Sequence, residues 1–413
     1  MATRAALHRA GAKVLTGLLE QPVPDQRQIP CPCGGVAKYV EMRTKGLLTV
    51  VGETEVLRAY YLCPDCHHGQ APFDRELDIE GCEASPGVRR IAATVASESA
   101  FAVGQKHIAL LAGIEVTTKA IERYSEAIGA DMERREVEYG QQVMGQPEPP
   151  VVDCEPIETM YVEMDATGVP VVPKEVEGRH GKVPGERPRT RDGKLGCVFT
   201  QTTFDEEGRP IRDEASTTYV GGIQTAEEFG RRIYCEAYRR GLAFAIRLVI
   251  LGDGAVWIWN LAALHFPHAI QIVDLYHARQ HLWDLSAILF ANAKDRARWV
   301  RKAQRKLDAG HIESLVAHLR SFPATDDHAA NALRIEAEYF QRNADRMRYA
   351  DFKRRGLFVG SGVIEAGCKT LIGSRLKKSG MFWTILGANS ILALRCSILS
   401  AKFEDYWANR RAA

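Results

Sequence analysis

Two short apolar runs, each ending on an aspartate, constrain this chain more than any other feature. The first, Phe244 to Leu251, is broken only by Arg247 and delivers Asp253 between Gly252 and Gly254. An amphipathic segment follows. The second run, Ala269 to Val273, then delivers Asp274 and, three residues on, His277. Runs of this length read as buried strands, and an acid at a strand end, flanked by glycines that let a ligand approach, is how α/β enzymes place a metal ligand. One carboxylate does no metal chemistry alone, so Asp253 needs partners elsewhere in the chain.

At 413 residues the chain exceeds one ordinary core, and two to four domains are expected. Its apolar runs fall well short of the roughly 20 residues that span a bilayer. Val14 to Leu19 is too short and interrupted for a signal sequence, so the expectation is a cytoplasmic protein without a membrane partner. The net charge of +2 averages over local basic clusters. One contains Lys294, Arg296, Arg298, Arg301, Lys302, Arg305 and Lys306; others are Lys353 to Arg355, and Lys369 with Arg375, Lys377 and Lys378. Such clusters fit a polyanion site, with solvated helix faces as the plainer reading.

Four of the ten cysteines are paired by spacing, Cys31 with Cys33 and Cys63 with Cys66. Strands Val36 to Met42, Leu47 to Val51 and Glu55 to Leu62, with turns at Lys45-Gly46 and Gly52-Glu53, are expected between the pairs. Four thiolates at the ends of a β-ribbon close a structural Zn²⁺ site. Because the first pair is CxC rather than CxxC, His67 or His68 is an alternative to one sulfur. The other cysteines read as buried thiols.

Ser85 to Ala130 reads as helices, with Gly113 ending a short one and Thr117 or Thr118 capping the next. The pattern suggests a helix-turn-helix, with Thr117, Thr118, Lys119 and Arg123 facing the DNA major groove, or an ordinary helical hairpin. Gly140 to Pro150 reads as a linker.

Next come a strand, Thr159 to Met164, reaching Asp165, a mobile loop from Lys174 to Lys194, and strands at Leu195 to Phe204 and Ser216 to Val220. A helix from Thr225 to Arg240, the Phe244 strand, a Trp257 to Leu264 helix and the Ile270 strand complete the block. This element order is that of a ribonuclease-H-like mixed sheet, in which the first and fourth strands lie side by side and Asp165 meets Asp253. Ala278 to Tyr349 is helical and charged; Glu365 lies in a helix starting near Ser361, and a last apolar helix lies within Met381 to Leu399. Three carboxylates from distant points, Asp165, Asp253 and Glu365, can hold two Mg²⁺ or Mn²⁺ ions about 3.5–4 Å apart for in-line phosphoryl displacement. Asp274 is an alternative ligand ranked below Asp253, and Trp257 and Trp383 are either base-stacking platforms or core residues.

Together these segments resemble the ISKra-type insertion-sequence transposases of bacteria, within the Mutator-like group of DDE transposases. The resemblance is carried by CPCGG with CPDCHHG, YVEMDATGV, LGDGAVWIW, VDLYHARQHLWDL and GSGVIEAGCKTLIGSRLKKSGMFW. Asp274 and His277 match the Asp-x-x-His signature of the group, and Ala278 to Tyr349 its helical insertion. The resemblance implies a multidomain α+β protein: an N-terminal helix and linker (1–27), a zinc β-ribbon (28–80) and a helix-turn-helix region (84–140). A ribonuclease-H-like catalytic core (155–277 and 355–413) is interrupted by an all-helical insertion (278–350). It implies Asp165, Asp253 and Glu365 as the DDE triad of a nucleoid-associated enzyme that hydrolyses phosphodiesters at element ends and joins the freed 3′-hydroxyl to target DNA. His277 contacts the scissile phosphate or buttresses the sheet edge. Lys369, Arg375, Lys377 and Lys378 contact DNA, and a homo-oligomer on double-stranded terminal inverted repeats pairs the ends. Competing readings are a zinc-ribbon and helix-turn-helix DNA-binding regulator with a catalytically silent ribonuclease-H-like domain, and a structure-specific repair nuclease.

Overall fold

The structure, a computed structural model, describes residues 2–146, 150–180 and 188–410. The chain divides into two compact units, Met1–Met132 with Ala401–Ala413, and Glu133–Ser400.

In the first unit, helix α1 (Ala2–Leu18) lies on an antiparallel sheet of β1 (Gln28–Pro30), β2 (Val36–Thr49), β3 (Gly52–Leu62) and β4 (Gly69–Gln70). The turn expected at Lys45-Gly46 does not form. Strand β2 runs straight through, pairing Lys45 with Val56 and Gly46 with Glu55, and turns at Gly52, whose φ of 99° suits glycine. The reason lies outside the ribbon. Lys45 reaches the buried Asp74 of α2 (Pro72–Glu76) at 3.1 Å, and Arg58 of β3 reaches the same carboxylate at 2.7 Å, so one acid pins both strands.

Helix α3 (Pro86–Glu98) starts on Ser85, whose hydroxyl accepts the Val88 N–H. Helix α4 (Phe101–His107) runs into a π-helical turn, Ile108–Ala112, ended by Gly113 in the left-handed region. Helix α5 (Thr118–Gly145) then begins on Thr117, whose hydroxyl accepts the Ala120 N–H at 3.2 Å. Val88, Ala92, Ala96, Ile108 and Ile121 close a core between these helices. The linker expected from Gly140 is a continuation of α5 as far as Gly145; positions 147–149 of that linker lie outside the described residues. The C-terminal segment, expected with the second unit, groups with the first. Its Tyr406 hydroxyl donates to Asp131 at 2.8 Å, and Arg410 binds Asp78 at 2.7 Å.

The second unit is built on a five-stranded mixed sheet ordered β11-β10-β5-β6-β9. Strands β5 (Ile157–Pro170), β6 (Thr190–Gln201) and β9 (Thr218–Gly222) form an antiparallel meander; the short hairpin β7 (Thr203–Phe204) and β8 (Pro210–Ile211) extends from β6. Helix α6 (Ala226–Arg239) carries a Thr225–Glu228 capping box and buries Phe229, Ile233 and Ala237. The chain then returns as β10 (Ala245–Gly252), parallel to β5, and after α7 (Val256–His265) as β11 (Ile270–Val273), parallel to β10. First and fourth strands are therefore neighbours, as the element order predicts. Of the loop expected from Lys174 to Lys194, Pro173–Val176 is a 3-10 turn, Thr190 already begins β6, and residues 181–187 lie outside the described residues.

Helices α8 (Leu275–Leu289), α9 (Ala293–Asp308), α10 (Ile312–Ser321), α11 (Asp327–Arg342) and α12 (Tyr349–Arg354) follow without a strand. Helix α13 (Gly362–Gly367) passes through a π-helical stretch, Cys368–Gly373, into α14 (Ser374–Leu376). Helix α15 (Ile385–Leu399) packs on β9, where Asn389 accepts the Ile223 N–H at 2.7 Å. Among the described residues, no helix is long and apolar enough to cross a membrane.

Candidate metal centres and the carboxylate cavity

In the first unit, Cys31 and Cys33 occupy the turn between β1 and β2, closed by the Gly34 N–H on the Cys31 carbonyl at 2.9 Å. Cys63 and Cys66 occupy a second turn after β3, where the Cys63 carbonyl accepts the His67 N–H at 3.0 Å. The sulfurs of Cys31 and Cys66 are 3.6 Å apart, those of Cys33 and Cys63 3.7 Å, and all four lie within 4.8 Å of one another. Sulfurs at the corners of a tetrahedral Zn–S₄ site are about 3.8 Å apart, given bonds of about 2.3 Å. The donor set fits zinc. Backbone N–H groups of Cys66 and then Asp65 favour the thiolate of Cys63 and bring its pKa to about 7. Neither His67 nor His68 belongs to the cluster; four sulfurs complete it, and the CxC turn needs no substitute ligand.

In the second unit, the register of β5 and β10 places Glu163 opposite Leu251. Two residues further along each strand stand Asp165 and Asp253. Asp165 is not at the end of its strand, as expected, but inside it. There β10 stops and β5 runs on against β6, pairing Asp165 with Leu195. The acid therefore sits at the lip left by a shorter neighbour. Gly254 follows Asp253 with φ 94°, and a Cβ there would lie 2.9 Å from the Tyr339 hydroxyl. Glycine is required by backbone conformation and by close approach alike.

Asp165, Asp253, His277, Ser361 and Glu365 line one cavity of about 210 Å³, walled also by Met164 and Ile364. The carboxylates of β5, β10 and α13 thus face a common space. It is wider than one ion's coordination sphere, because among the described residues only the cysteine cluster has its ligand atoms all within 4.8 Å. Burial raises the pKa of Asp165, and the charge of Asp253 raises it further; the Ala166 N–H, the Cys368 thiol and His277 act in the opposite sense. Among the described residues, Asp253 accepts the Ala255 N–H at 2.9 Å on one oxygen only, and the one ion-pair partner of Glu365 is exposed Lys369 at 3.9 Å. Hard oxygen donors, mutual repulsion and unspent lone pairs fit divalent cations of the Mg²⁺ or Mn²⁺ kind.

Asp274 is different. Fully buried, it accepts the His277 N–H at 2.5 Å on one oxygen, and on the other the N–H and the hydroxyl of Ser361, the latter at 2.9 Å. Its acceptor capacity is spent on protein. Glu163, absent from the sequence-derived candidates, is also fully buried, and its Oε2 accepts the Ile364 N–H at 2.8 Å. Burial pushes its pKa up to about 8. Together these two acids hold the first turn of the helix that carries Glu365. His277 is exposed at the cavity, its ring 5.0 Å from that of His281. His281 stacks on Tyr339 at 4.0 Å and contacts Glu336 at 2.8 Å.

Of the residues expected to face DNA, Thr117 caps α5, the Thr118 hydroxyl donates to Gln105 at 2.9 Å, Lys119 is exposed beside Glu122, and Arg123 is exposed. Lys369, Lys377 and Lys378 are exposed, with the Lys377 ammonium 2.9 Å from the Thr167 hydroxyl. Arg375 is a correction. It is completely buried, its guanidinium 5.0 Å from the Trp383 ring centre and 3.5 Å from the Met381 sulfur, so it supports the fold and presents no charge to a polyanion. Trp383 is itself buried and donates to the Leu376 carbonyl at 3.0 Å, while Trp257 packs edge-on against Phe229. Trp383 is therefore a packing residue, and Trp257 is half-buried.

No family model matches the chain, and no curated protein matches it. Among solved structures, the chain is similar to the Drosophila P element transposase strand transfer complex, with a TM-score of 0.27 and 12% sequence identity over 81% of this chain and 84% of that chain.

Proposed function

We propose that the chain is a DDE transposase of an insertion sequence that cuts DNA phosphodiesters at element ends and transfers the freed strand to target DNA. One observation carries the reading: acids from β5, β10 and α13, far apart in sequence, line a single cavity with oxygen atoms left open. Asp165, Asp253 and Glu365 would hold two Mg²⁺ or Mn²⁺ ions, which when bound stabilise the attacking and leaving oxygens of an in-line displacement. The protein's part is positioning. Asp165 and Asp253 are fixed by adjacent parallel strands and by hydrogen bonds from Ala166 at 2.7 Å and Ala255. Glu365 is fixed by the grip of Glu163 and Asp274 on its helix. His277, exposed at the cavity, would meet a phosphate oxygen.

In the same reading the four-cysteine ribbon binds a structural zinc. Helix α5, with Thr117, Thr118, Lys119 and Arg123 at its start, reads DNA; Lys369, Lys377 and Lys378 hold the phosphate backbone. The sheet is ribonuclease-H-like and α8–α11 its insertion, and a homo-oligomer pairs two element ends. The test is strand scission of a duplex carrying the inverted repeats that flank the gene, with Mn²⁺ present. Asp253→Ala should bind that duplex and cut nothing. Binding without metal-dependent scission by the wild-type chain would instead support a regulator.

A further inference from the structure

Helix α9 is not used by the cavity, yet it carries the largest net charge of the described helices. Seven basic and two acidic side chains give it a formal charge of +5, more than the +2 of the whole chain. Both acids are already engaged, Asp295 with Arg298 at 3.4 Å and Asp308 with Arg279 at 2.7 Å.

The charges are also sorted by direction. At about 100° per residue, Lys294, Arg298, Arg301, Lys302 and Arg305 fall in one stripe about 100° wide. Trp299, Val300, Ala303 and Leu307 point the opposite way and are buried. Arg296 and Lys306 lie off the stripe and both bond to protein, at the Phe290 carbonyl and the Ser314 hydroxyl. Lys294, Arg301, Lys302 and Arg305 are exposed and have no ion-pair partner among the described residues. The positive field is felt nearby: His318, packed on Trp299, is held below its ordinary pKa by burial and then by Lys306 and Lys302.

We infer that the outer face of α9 is a second DNA contact, a straight row of cations that lies along the phosphate backbone of double-stranded DNA without reading its sequence. The row is about 16 Å long, enough to meet several phosphates of the duplex backbone. Its chemistry selects the partner. No aromatic side chain stands on the stripe to stack an unpaired base, so single strands gain no platform. The apolar face of the helix is buried in protein, so α9 has nothing to insert into a membrane surface. The identity of the polyanion rests on the DNA-processing reading above.

The experiment measures affinity of the full chain for a mixed-sequence duplex as a function of salt. Each lost phosphate contact should reduce the slope of log affinity against log salt by about 1, so R301A/K302A/R305A should lower it by about 3. The charge-keeping variant R301K/R305K should retain the wild-type slope. An unchanged slope in the triple variant, with its circular dichroism intact, overturns the inference and leaves the cavity reading standing. So does a larger loss for single-stranded DNA, or for phosphatidylserine vesicles, than for duplex. A wild-type chain that binds no duplex at any salt overturns both.

Discussion

The carboxylate of Asp274 and the N-terminal residue of another helix, Ser361, are joined twice, through the serine N–H and through its hydroxyl at 2.9 Å. The same carboxylate caps α8 through the His277 N–H at 2.5 Å. One buried acid therefore ties the end of β11, the start of the helical insertion and the start of the helix bearing Glu365. Glu163 makes the parallel connection from β5 to Ile364.

This grip predicts unequal effects of conservative replacement. Glu163→Gln keeps an acceptor for the Ile364 N–H and should retain most metal-dependent scission, whereas Glu163→Ala leaves that donor unmet. Asp274→Asn has one acceptor where two oxygens are in use, so it should fall on the damaged side. The cost of an unsatisfied buried group is about 1–3 kcal/mol. Urea unfolding gives the stability, and scission rates at saturating Mn²⁺ give the positioning effect. Equal behaviour of the Gln and Ala variants at 163 would show that the hydrogen bond positions nothing.

Protonation of Glu163 makes stability pH-dependent in a defined sense. Its folded pKa is raised to about 8 from 4.5, so the folded state retains a proton that the unfolded chain gives up. The stabilisation is complete below about pH 4.5 and is lost as pH rises through about 8, at ~1.4 kcal/mol per pH unit for one proton. Denaturant titrations with chelator present, at pH 5 and pH 8, should show the decline in the wild type and a shallower one in Glu163→Gln. Parallel curves for the two proteins would remove Glu163 as the source.

The cysteine cluster predicts one zinc per chain by atomic absorption, lost in Cys63→Ser. A zinc in this cluster would join the two turns that carry the cysteines, so chelation should unfold the cysteine end of β1–β4 and leave the five-stranded sheet intact. Hydrogen exchange resolves the two regions. Full protection of β2 and β3 after chelation would contradict the structural role.

Gly254→Ala should destabilise the chain by about 1–3 kcal/mol, since its φ of 94° is unfavourable to alanine and the added Cβ would meet Tyr339 at 2.9 Å. Thermal unfolding checks this. Scission should fall as well, because Asp253 is the neighbouring residue.

Some of this architecture was legible in the sequence because it is local. Apolar runs ending at Asp253 and Asp274 identify strand ends, and the element order alone puts the first and fourth strands together. Relationships made by distant residues were not. Lys45-Gly46 has turn chemistry, but Asp74 pulls Lys45 into a continuous strand. Arg375 sits in a basic cluster by spacing, yet Trp383 and Met381 fold over it. Glu163 is one of 52 acids in the chain, and its residue type argues against full burial. Its place two residues before Asp165, on the same strand face, was the available signal.

Anomalous diffraction from Mn²⁺-soaked crystals shows whether Asp165, Asp253 and Glu365 hold divalent ions. Manganese peaks are expected in the cavity lined by these three carboxylates, and none in crystals of Asp253→Ala. Well-ordered wild-type crystals with no peak there, or with manganese bound only elsewhere, would contradict that expectation.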